Sequence, residues 1–211
     1  MSEWWKYLDR LQQGTVLTNR IRQYLRIDSD ITYSSDVRID ERHGPVFIGK
    51  GTIICPGVCI QGPVVIGADC VIGNNSFIRA GTCIGNRVKI GYSVEIKNSV
   101  LAEDVSVGPL CFIADSIILM GAYLGALVRT SNHRLDKRTV RVNFGGELID
   151  TGRDKLGCFI GERASLGVQV ITLPGRYIQA DTLIGPGIIV ERNMPTGKYI
   201  LQQQIIKINE V

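Results

Sequence analysis

The feature that most constrains this 211-residue chain is an isoleucine that recurs every six residues in its first half. The repeat runs without a miss through Ile48, Ile54, Ile60, Ile66, Ile72, Ile78, Ile84, Ile90 and Ile96. On an α-helix, six residues turn a side chain by about 600°, so successive isoleucines would face different sides. On extended backbone, six is a multiple of the two-residue period, so all of them face one side. The spacing therefore predicts β-structure.

Each six-residue unit also places a small or β-branched residue two positions before its isoleucine. By the same parity these residues point inward: Val46, Thr52, Val58, Val64, Cys70, Ser76, Thr82, Val88 and Val94. Glycine often follows the isoleucine, as at Gly49 and Gly67, where a tight corner needs a permissive backbone. Short strands with a corner every six residues close only as a polygonal solenoid whose coils pair with one another. The repeat is therefore predicted to form the core.

The repeat changes phase and later breaks off. After Ile96 it slips by one residue. It then resumes at Leu101, Val107, Ile113 and Leu119, and again at Ile160, Leu166, Thr172, Ile178, Ile184 and Val190. Over residues 127–157 the periodicity disappears and the sequence becomes polar and basic. This segment is predicted to be a long loop excursion from the solenoid.

The predicted solenoid covers residues 45–196 and has a different segment at each end. Two groups of apolar residues recur at helical spacing: Trp4, Trp5, Leu8 and Leu11, then Leu17, Ile21, Tyr24 and Leu25. They predict two short amphipathic helices that form a cap or linker over 1–44. The apolar tail, 197–211, is expected to include a strand that closes the last coil.

Composition excludes several classes of function. The net charge is 24 − 20 = +4 without a run of five or six basic residues, so no nucleic-acid partner is expected. Apolar stretches such as 116–127 are broken by glycine and are shorter than the roughly 18 residues of a membrane span. No secretory signal is visible, so a cytoplasmic location and no membrane partner are expected.

The six cysteines contain no CxxC pair and are expected to be free thiols; Cys70, Cys111 and Cys158 fall at inward positions.

Over residues 45–191 the repeat resembles the hexapeptide-repeat family, whose fold is the left-handed parallel β-helix with three strands per 18-residue coil. The resemblance implies an all-β fold and acetyl transfer from acetyl-CoA without a catalytic metal. It also implies a homotrimer with active sites between neighbouring solenoids and a histidine as general base. The chain has two histidines, His43 and His133. His43 lies among charged and turn-forming residues, as expected of a solvated loop. Two histidines argue against the zinc carbonic anhydrase of this fold, which needs three per site.

Residues 79–186 resemble the acetyltransferase domain of archaeal bifunctional sugar-1-phosphate nucleotidylyltransferases. The similar segments are IRAGTCIG, YSVEIKNSVL, SNHRLDKRTVRVN, DTGRDKLGCFIG and ITLPG. The resemblance implies that Arg79 and Lys97 contact a sugar phosphate. It also implies that Asn132, Arg138 and Arg141 lie near the acetyl donor, where that family has an asparagine and two lysines.

The chain departs from that family at the general base. A stretch like PHLSY, with the catalytic histidine and a tyrosine, is GPLCF here, so Pro109 and Phe112 replace them. Proline cannot accept a proton. The segment NHRLD at 132–136 is similar, however, to the NHRMD segment of xenobiotic acetyltransferases, whose histidine is the catalytic base. That resemblance implies His133 as the base.

The remaining site predictions concern groups around this base. Asn132 or backbone N–H groups are candidates to stabilise the oxyanion, and Asp136 is a candidate to orient the imidazole. Coenzyme A is expected beside the C-terminal coils, and its predicted contacts there are Gly161, Arg163, Ser165 and Arg192.

Two functions remain open from the sequence. The first is an acetyl-CoA-dependent acetyltransferase acting on a sugar, sugar phosphate or similar small polar acceptor. The second is a catalytically silent sugar-phosphate-binding or regulatory solenoid that kept Arg79 and Lys97 but lost its chemistry at Pro109.

Overall fold

A computed structural model describes the backbone of residues 3–12 and 31–202, and the side chains of all of these except 9–12. The described strands form three parallel sheets, here called walls 1, 2 and 3, and one antiparallel hairpin. The chain visits the walls in turn, so successive coils stack strand upon strand. This is the predicted parallel β-helix.

Within the described residues, each wall is a stack of short strands. In spatial order, wall 1 consists of β1 (Thr32–Tyr33), β4 (Ile53–Ile54), β7 (Val71–Ile72), β10 (Lys89–Ile90), β13 (Ser106–Val107), β16 (Tyr123–Leu124), β21 (Ser165–Leu166), β24 (Leu183–Ile184) and β26 (Lys198–Tyr199). Wall 2 consists of β2 (Arg38–Asp40), β5 (Cys59–Gln61), β8 (Phe77–Ile78), β11 (Glu95–Lys97), β14 (Phe112–Ala114), β17 (Arg129–Thr130), β22 (Ile171–Thr172) and β25 (Ile189–Val190). Wall 3 consists of β3 (Val46–Ile48), β6 (Val64–Ile66), β9 (Thr82–Ile84), β12 (Val100–Leu101), β15 (Ile117–Ile118), β20 (Cys158–Ile160) and β23 (Arg176–Ile178). The hairpin consists of β18 (Arg141–Phe144) and β19 (Glu147–Asp150).

The inward residues stack in register from coil to coil, which explains the period of six. Ile48, Ile66 and Ile84 are Cα partners in successive strands of wall 3. All nine repeat isoleucines are buried in one core cluster, and the small residues two positions earlier are buried as well. The prediction of the core is confirmed.

The phase of the repeat slips twice, once more than the sequence indicated. Leu101 follows Ile96 after five residues, and Ile118 follows Ile113 after five. The core position of wall 3 therefore belongs to Ile118, which is fully buried, and the assignment of Leu119 to the repeat was wrong. Leu119 packs instead against a second cluster outside the solenoid. Both slips occur at the corner between walls 2 and 3.

The parallel sheets begin before residue 45, because β1 and β2 already pair with β4 and β5. The excursion leaves after Thr130, since β17 still lies in wall 2. It returns at Cys158 and contains the hairpin. At the other end, β26 pairs with β24.

The outer face of wall 3 is apolar and covered. Helix α1 (Trp5–Gln12) and the excursion pack on it and form a cluster separate from the core. The Trp4 and Phe159 rings lie 5.8 Å apart, and the Trp5 and Phe144 rings 6.1 Å apart. The helix thus covers a side of the solenoid and contacts the hairpin. The second predicted helix and residues 203–211 of the tail lie outside the described residues.

We predict that Ile72→Asp prevents stable folding, because it buries an unpaired carboxylate in the aliphatic stack at a cost of several kcal/mol. Thermal unfolding monitored by circular dichroism measures this. The matched control is Ile53→Asp in the same wall, whose side chain is 44% exposed on the outer face. An unchanged melting temperature for Ile72→Asp would contradict the inward register of the repeat.

Candidate functional site

A pocket of about 370 Å³ lies at the corner where the chain passes from wall 2 to wall 3, here called the 2–3 edge. We name it the edge pocket; its lining residues are Gln61, Pro63, Arg79, Ala80, Gly81, Lys97, Asn98 and Asp115. Because corners of successive coils stack, residues 17 or 18 positions apart in the chain become neighbours here. The structure therefore brings together Arg79 and Lys97, the two predicted phosphate contacts.

Asp115 holds this edge together. Its carboxylate accepts a hydrogen bond of 2.6 Å from Asn98 Nδ2 and one of 2.5 Å from Asn132 Nδ2. Lys97 Nζ lies 4.0 Å from the same carboxylate, and the Asp115 side chain is only 7% exposed. Buried carboxylates are stable only when paired in this way. Asp115 thus links the edge pocket to Asn132, the predicted oxyanion donor.

The second cation of the pocket is held by the neighbouring strand. Arg79 Nη1 donates to Glu95 Oε1 at 2.7 Å, and its guanidinium lies over the Phe77 ring at 5.6 Å. Arg79 and Lys97 therefore each have one carboxylate neighbour and still line an open pocket. Such a pair suits an anionic or strongly polar ligand.

His133 follows Asn132 at the point where the excursion begins. Its side chain is exposed, and its imidazole has no hydrogen-bond partner among the described residues. Its backbone bridges Lys155, and Asn132 O accepts from Leu156 N at 2.8 Å, so the start and the end of the excursion are joined. These backbone contacts with Lys155 and Leu156 therefore fix the position of His133.

Asp136 does not contact the imidazole. Its carboxylate is held by the Arg134 guanidinium, with one bond of 2.8 Å from Nε, and by the Arg138 backbone N–H at 3.2 Å. These donors hold the pKa of Asp136 well below its usual range, and Arg134 has the largest effect. The expected triad of Asn132, His133 and Asp136 is therefore not assembled by side-chain contacts.

A second, strongly basic cavity of about 630 Å³ lies in the excursion. We name it the basic cavity; it is lined by Arg134, Lys137, Arg138, Thr139, Arg141, Leu148, Asp154 and Arg176. It contains Arg138 and Arg141, the predicted donor contacts. It also contains Arg176, which the sequence reasoning missed; the only signal was a basic residue directly after the Pro174–Gly175 turn.

The other predicted coenzyme A contacts lie elsewhere. Gly161, Arg163 and Ser165 occupy the edge between walls 3 and 1, and Arg163 is ion-paired with Asp181 at 2.7 Å. A Cβ at Gly161 would lie 2.4 Å from Ala180 N, so coil stacking already requires glycine there. Arg192 is exposed after β25. A single copy of the chain does not gather these residues around one ligand.

The buried cysteines are poor candidates for nucleophilic chemistry. Burial raises the pKa of the Cys111 and Cys158 thiols to about 11, which opposes formation of a nucleophilic thiolate. Within residues 3–12 and 31–202, no three His, Cys, Asp or Glu side chains are grouped as metal ligands. In the same part of the chain, no helix is long and apolar enough to cross a membrane.

Comparison with known proteins identifies the family. The model of the GMPPB C-terminal domain matches residues 60–170. The chain is 52% identical over 207 residues to acetyltransferase YaiX of Escherichia coli K12, itself uncharacterized, and the match covers 97% of this chain and 89% of that protein. It is 40% identical over 156 residues to the bifunctional sugar-1-phosphate nucleotidylyltransferase/acetyltransferase of Sulfurisphaera tokodaii, covering 74% of this chain and 39% of that longer protein.

A solved structure with a similar fold is UDP-N-acetylglucosamine acyltransferase from Campylobacter jejuni. It matches at a TM-score of 0.45 and 13% identity, covering 80% of this chain and 72% of that one. The sequence matches and the solenoid together show that the chain belongs to the hexapeptide-repeat acyltransferases, the enzymes of the left-handed parallel β-helix.

We predict that Asp115→Asn lowers the free energy of unfolding by about 1–3 kcal/mol. One of the amide donors, Asn98 or Asn132, then faces another amide N–H₂ inside the protein, and Lys97 loses its counter-charge. Denaturant titration measures the change.

The matched control is Asp104→Asn. Asp104 and Asp115 both adopt left-handed backbone, with φ of 61° and 50°, which asparagine tolerates. Asp104 is exposed and ion-paired with Arg87, so Asp104→Asn is expected to lower the free energy of unfolding much less than Asp115→Asn does. Equal effects of the two substitutions would contradict the central role of Asp115.

Proposed function

We propose that this acyltransferase transfers an acetyl group from acetyl-CoA to a sugar, a sugar phosphate or a similar small polar acceptor. The observation behind the proposal is the edge pocket, where Arg79 and Lys97 lie beside Asp115 and Asp115 binds Asn132, the neighbour of His133. An anionic acceptor held by Arg79 and Lys97 would lie next to a candidate base. The sugar-phosphate chemistry in the name of the Sulfurisphaera tokodaii relative supports this class of acceptor.

His133 is the proposed general base. In its neutral form the imidazole takes the proton from the acceptor hydroxyl or amine as the acceptor oxygen or nitrogen attacks the thioester carbonyl carbon. The carbon–sulfur bond then breaks, and the imidazolium returns the proton to the departing thiolate. His133 suits this role because its imidazole is exposed and free of competing hydrogen bonds among the described residues.

Asn132 is the proposed oxyanion donor. One of its two amide hydrogens is donated to Asp115, which fixes the side chain, and the second is available. A donor already held in place stabilises the developing negative charge without reorganising during the reaction. Asp115 is thus a positioning residue, and Asp136 binds Arg134 instead of taking part.

The donor's phosphates are proposed to bind Arg138 and Arg141 in the basic cavity. Gly161, Arg163 and Ser165 lie on a different edge of the same chain, so they would reach the donor only from a neighbouring copy. This separation favours a homotrimer with sites between solenoids. The proposed use of acetyl-CoA and the thiol state of the described cysteines fit a cytoplasmic enzyme.

We predict a homotrimer in solution. Light scattering coupled to size-exclusion chromatography is expected to return three times the mass of one chain. A mass equal to a single chain would contradict the shared-site arrangement.

We predict that His133→Ala lowers kcat by roughly 10²–10⁴-fold with little change in coenzyme A affinity, because the imidazole acts in the transition state. Thiol release from acetyl-CoA is measured with a panel of amino sugars, sugar phosphates and hydroxylated compounds. His43→Ala is the matched control, since His43 is exposed in a turn of an early coil, and its kcat is expected within about two-fold of wild type.

Two outcomes would overturn this assignment. Undiminished turnover in His133→Ala would reject His133 as the base. Absence of wild-type turnover with every acceptor, together with activity gained by Pro109→His, would favour the silent binding solenoid.

A further inference from the structure

The basic cavity has more positive charge than its surroundings balance. Among the described residues, Lys137, Arg138, Arg141 and Arg176 form no ion pair, although all four line it. Of the carboxylates nearby, Asp136 accepts from Arg134 and from the Arg138 N–H, and Asp150 accepts from Gly152 N at 3.0 Å and Thr139 Oγ1 at 2.8 Å. Asp154 also lines the cavity, where it is the one carboxylate among five basic lining side chains. The excess of positive charge in this cavity suits an anion of more than one charge.

Arg176 differs from the other three cations because it is half-buried, whereas they are exposed. Its guanidinium donates to backbone carbonyls alone: Pro174 O at 3.0 and 3.1 Å, Glu191 O at 3.2 Å and Arg141 O at 3.5 Å. Burial, together with repulsion from Arg134, lowers the pKa of Arg176. A half-buried cation without a carboxylate partner is costly, and a bound anion would offset that cost.

A smaller pocket of about 270 Å³ adjoins the basic cavity; we name it the hairpin pocket. It shares two strands with the cavity. In β18, Arg141 lines the cavity and Asn143 the pocket; in β23, Arg176 lines the cavity and Tyr177 the pocket. Gly175 permits β18 to pack closely against the start of β23, because a Cβ at position 175 would lie 2.8 Å from Val140 Cγ1 and 2.9 Å from Arg141 O.

The hairpin pocket offers a flat aromatic surface with amide groups around it. The Tyr177 ring stacks on Phe159 at 4.8 Å with an interplanar angle of 10°. Asn193 is held at both ends of its amide, since its Oδ1 accepts from Tyr177 N and its Nδ2 donates to Asn143 O. In contrast, the Asn143 side-chain amide and Gln179 Nε2 have no partner among the described residues. Aromatic faces with free amides are the groups that bind nucleobases.

We propose that the basic cavity and the hairpin pocket form one site for a phosphorylated nucleoside. The phosphates bind Arg138, Arg141 and Arg176, and the base lies against Tyr177. This inference rests on the proposed function, in which the donor's phosphates bind Arg138 and Arg141. Two ligands can supply a phosphorylated nucleoside to this site. One is the nucleotide end of coenzyme A, and the other is an acceptor sugar linked to a nucleoside diphosphate.

Isothermal titration calorimetry on the full chain tests the site without acetyl transfer. The probes are adenosine 3′,5′-bisphosphate, UDP, GDP and inorganic pyrophosphate. We expect at least one nucleotide to bind more tightly than pyrophosphate, with an affinity that falls as salt rises. Preference for the adenosine bisphosphate assigns the site to coenzyme A, and preference for UDP or GDP assigns it to the acceptor. If pyrophosphate binds as tightly as every nucleotide, the proposal that the hairpin pocket binds the nucleoside is overturned.

Variants separate the two halves of the site. Arg141→Gln, an exposed position whose side chain forms no ion pair among the described residues, is expected to weaken every probe about ten-fold or more. Arg176→Gln is expected to do the same. Tyr177→Leu is expected to weaken the nucleotides and leave pyrophosphate unchanged. The matched control is Arg38→Gln, an exposed arginine of the first coil, far from the cavity along the stack.

The outcomes distinguish this site from the proposed reaction. Nucleotide affinities unchanged in Arg141→Gln and Arg176→Gln would reject the site, even if acetyl transfer is observed. Variant-sensitive nucleotide binding without transfer to any acceptor would keep the site and reject the reaction.

Discussion

Each described strand of the three walls is held in place by the stacking of one inward side chain on its counterpart a coil away. Strands of two or three residues are too short to persist alone, so their stability comes from the ladder and from the aliphatic column behind it. In wall 3, Ile48, Ile66 and Ile84 stack while Gly67 N donates to Ile84 O at 2.9 Å. Slipping one residue would turn each inward side chain outward. The register of the whole solenoid is therefore set by these columns.

The edge pocket follows from that register. Arg79 and Lys97 succeed one another in the same row of wall 2, so two cations lie one coil apart, about 4.8 Å in the backbone. Each is balanced by a carboxylate, Glu95 or Asp115. The corners at Asn98 and Asp115 are one residue shorter than the others, and both residues adopt left-handed backbone. The phase slip visible in the sequence is thus the site of the pocket.

The excursion depends on the outer face of wall 3. That face would expose Val65, Cys83 and Ile117 to water if α1 and the excursion did not cover it. The same packing places the hairpin across β23 and the cations of the basic cavity beside Arg176. A loop rich in like charges is stabilised here by apolar contacts on its opposite side.

The sequence by itself determined the solenoid and its core, because a six-residue period is a local property that permits one kind of packing. Only the tertiary structure decided the rest. It placed Ile118 rather than Leu119 in the core, directed Asp136 to Arg134, separated Gly161 from the 2–3 edge, and brought Arg176 to Arg141. These contacts depend on where a non-periodic loop returns to the coils, and that path is set by packing between residues distant in the chain.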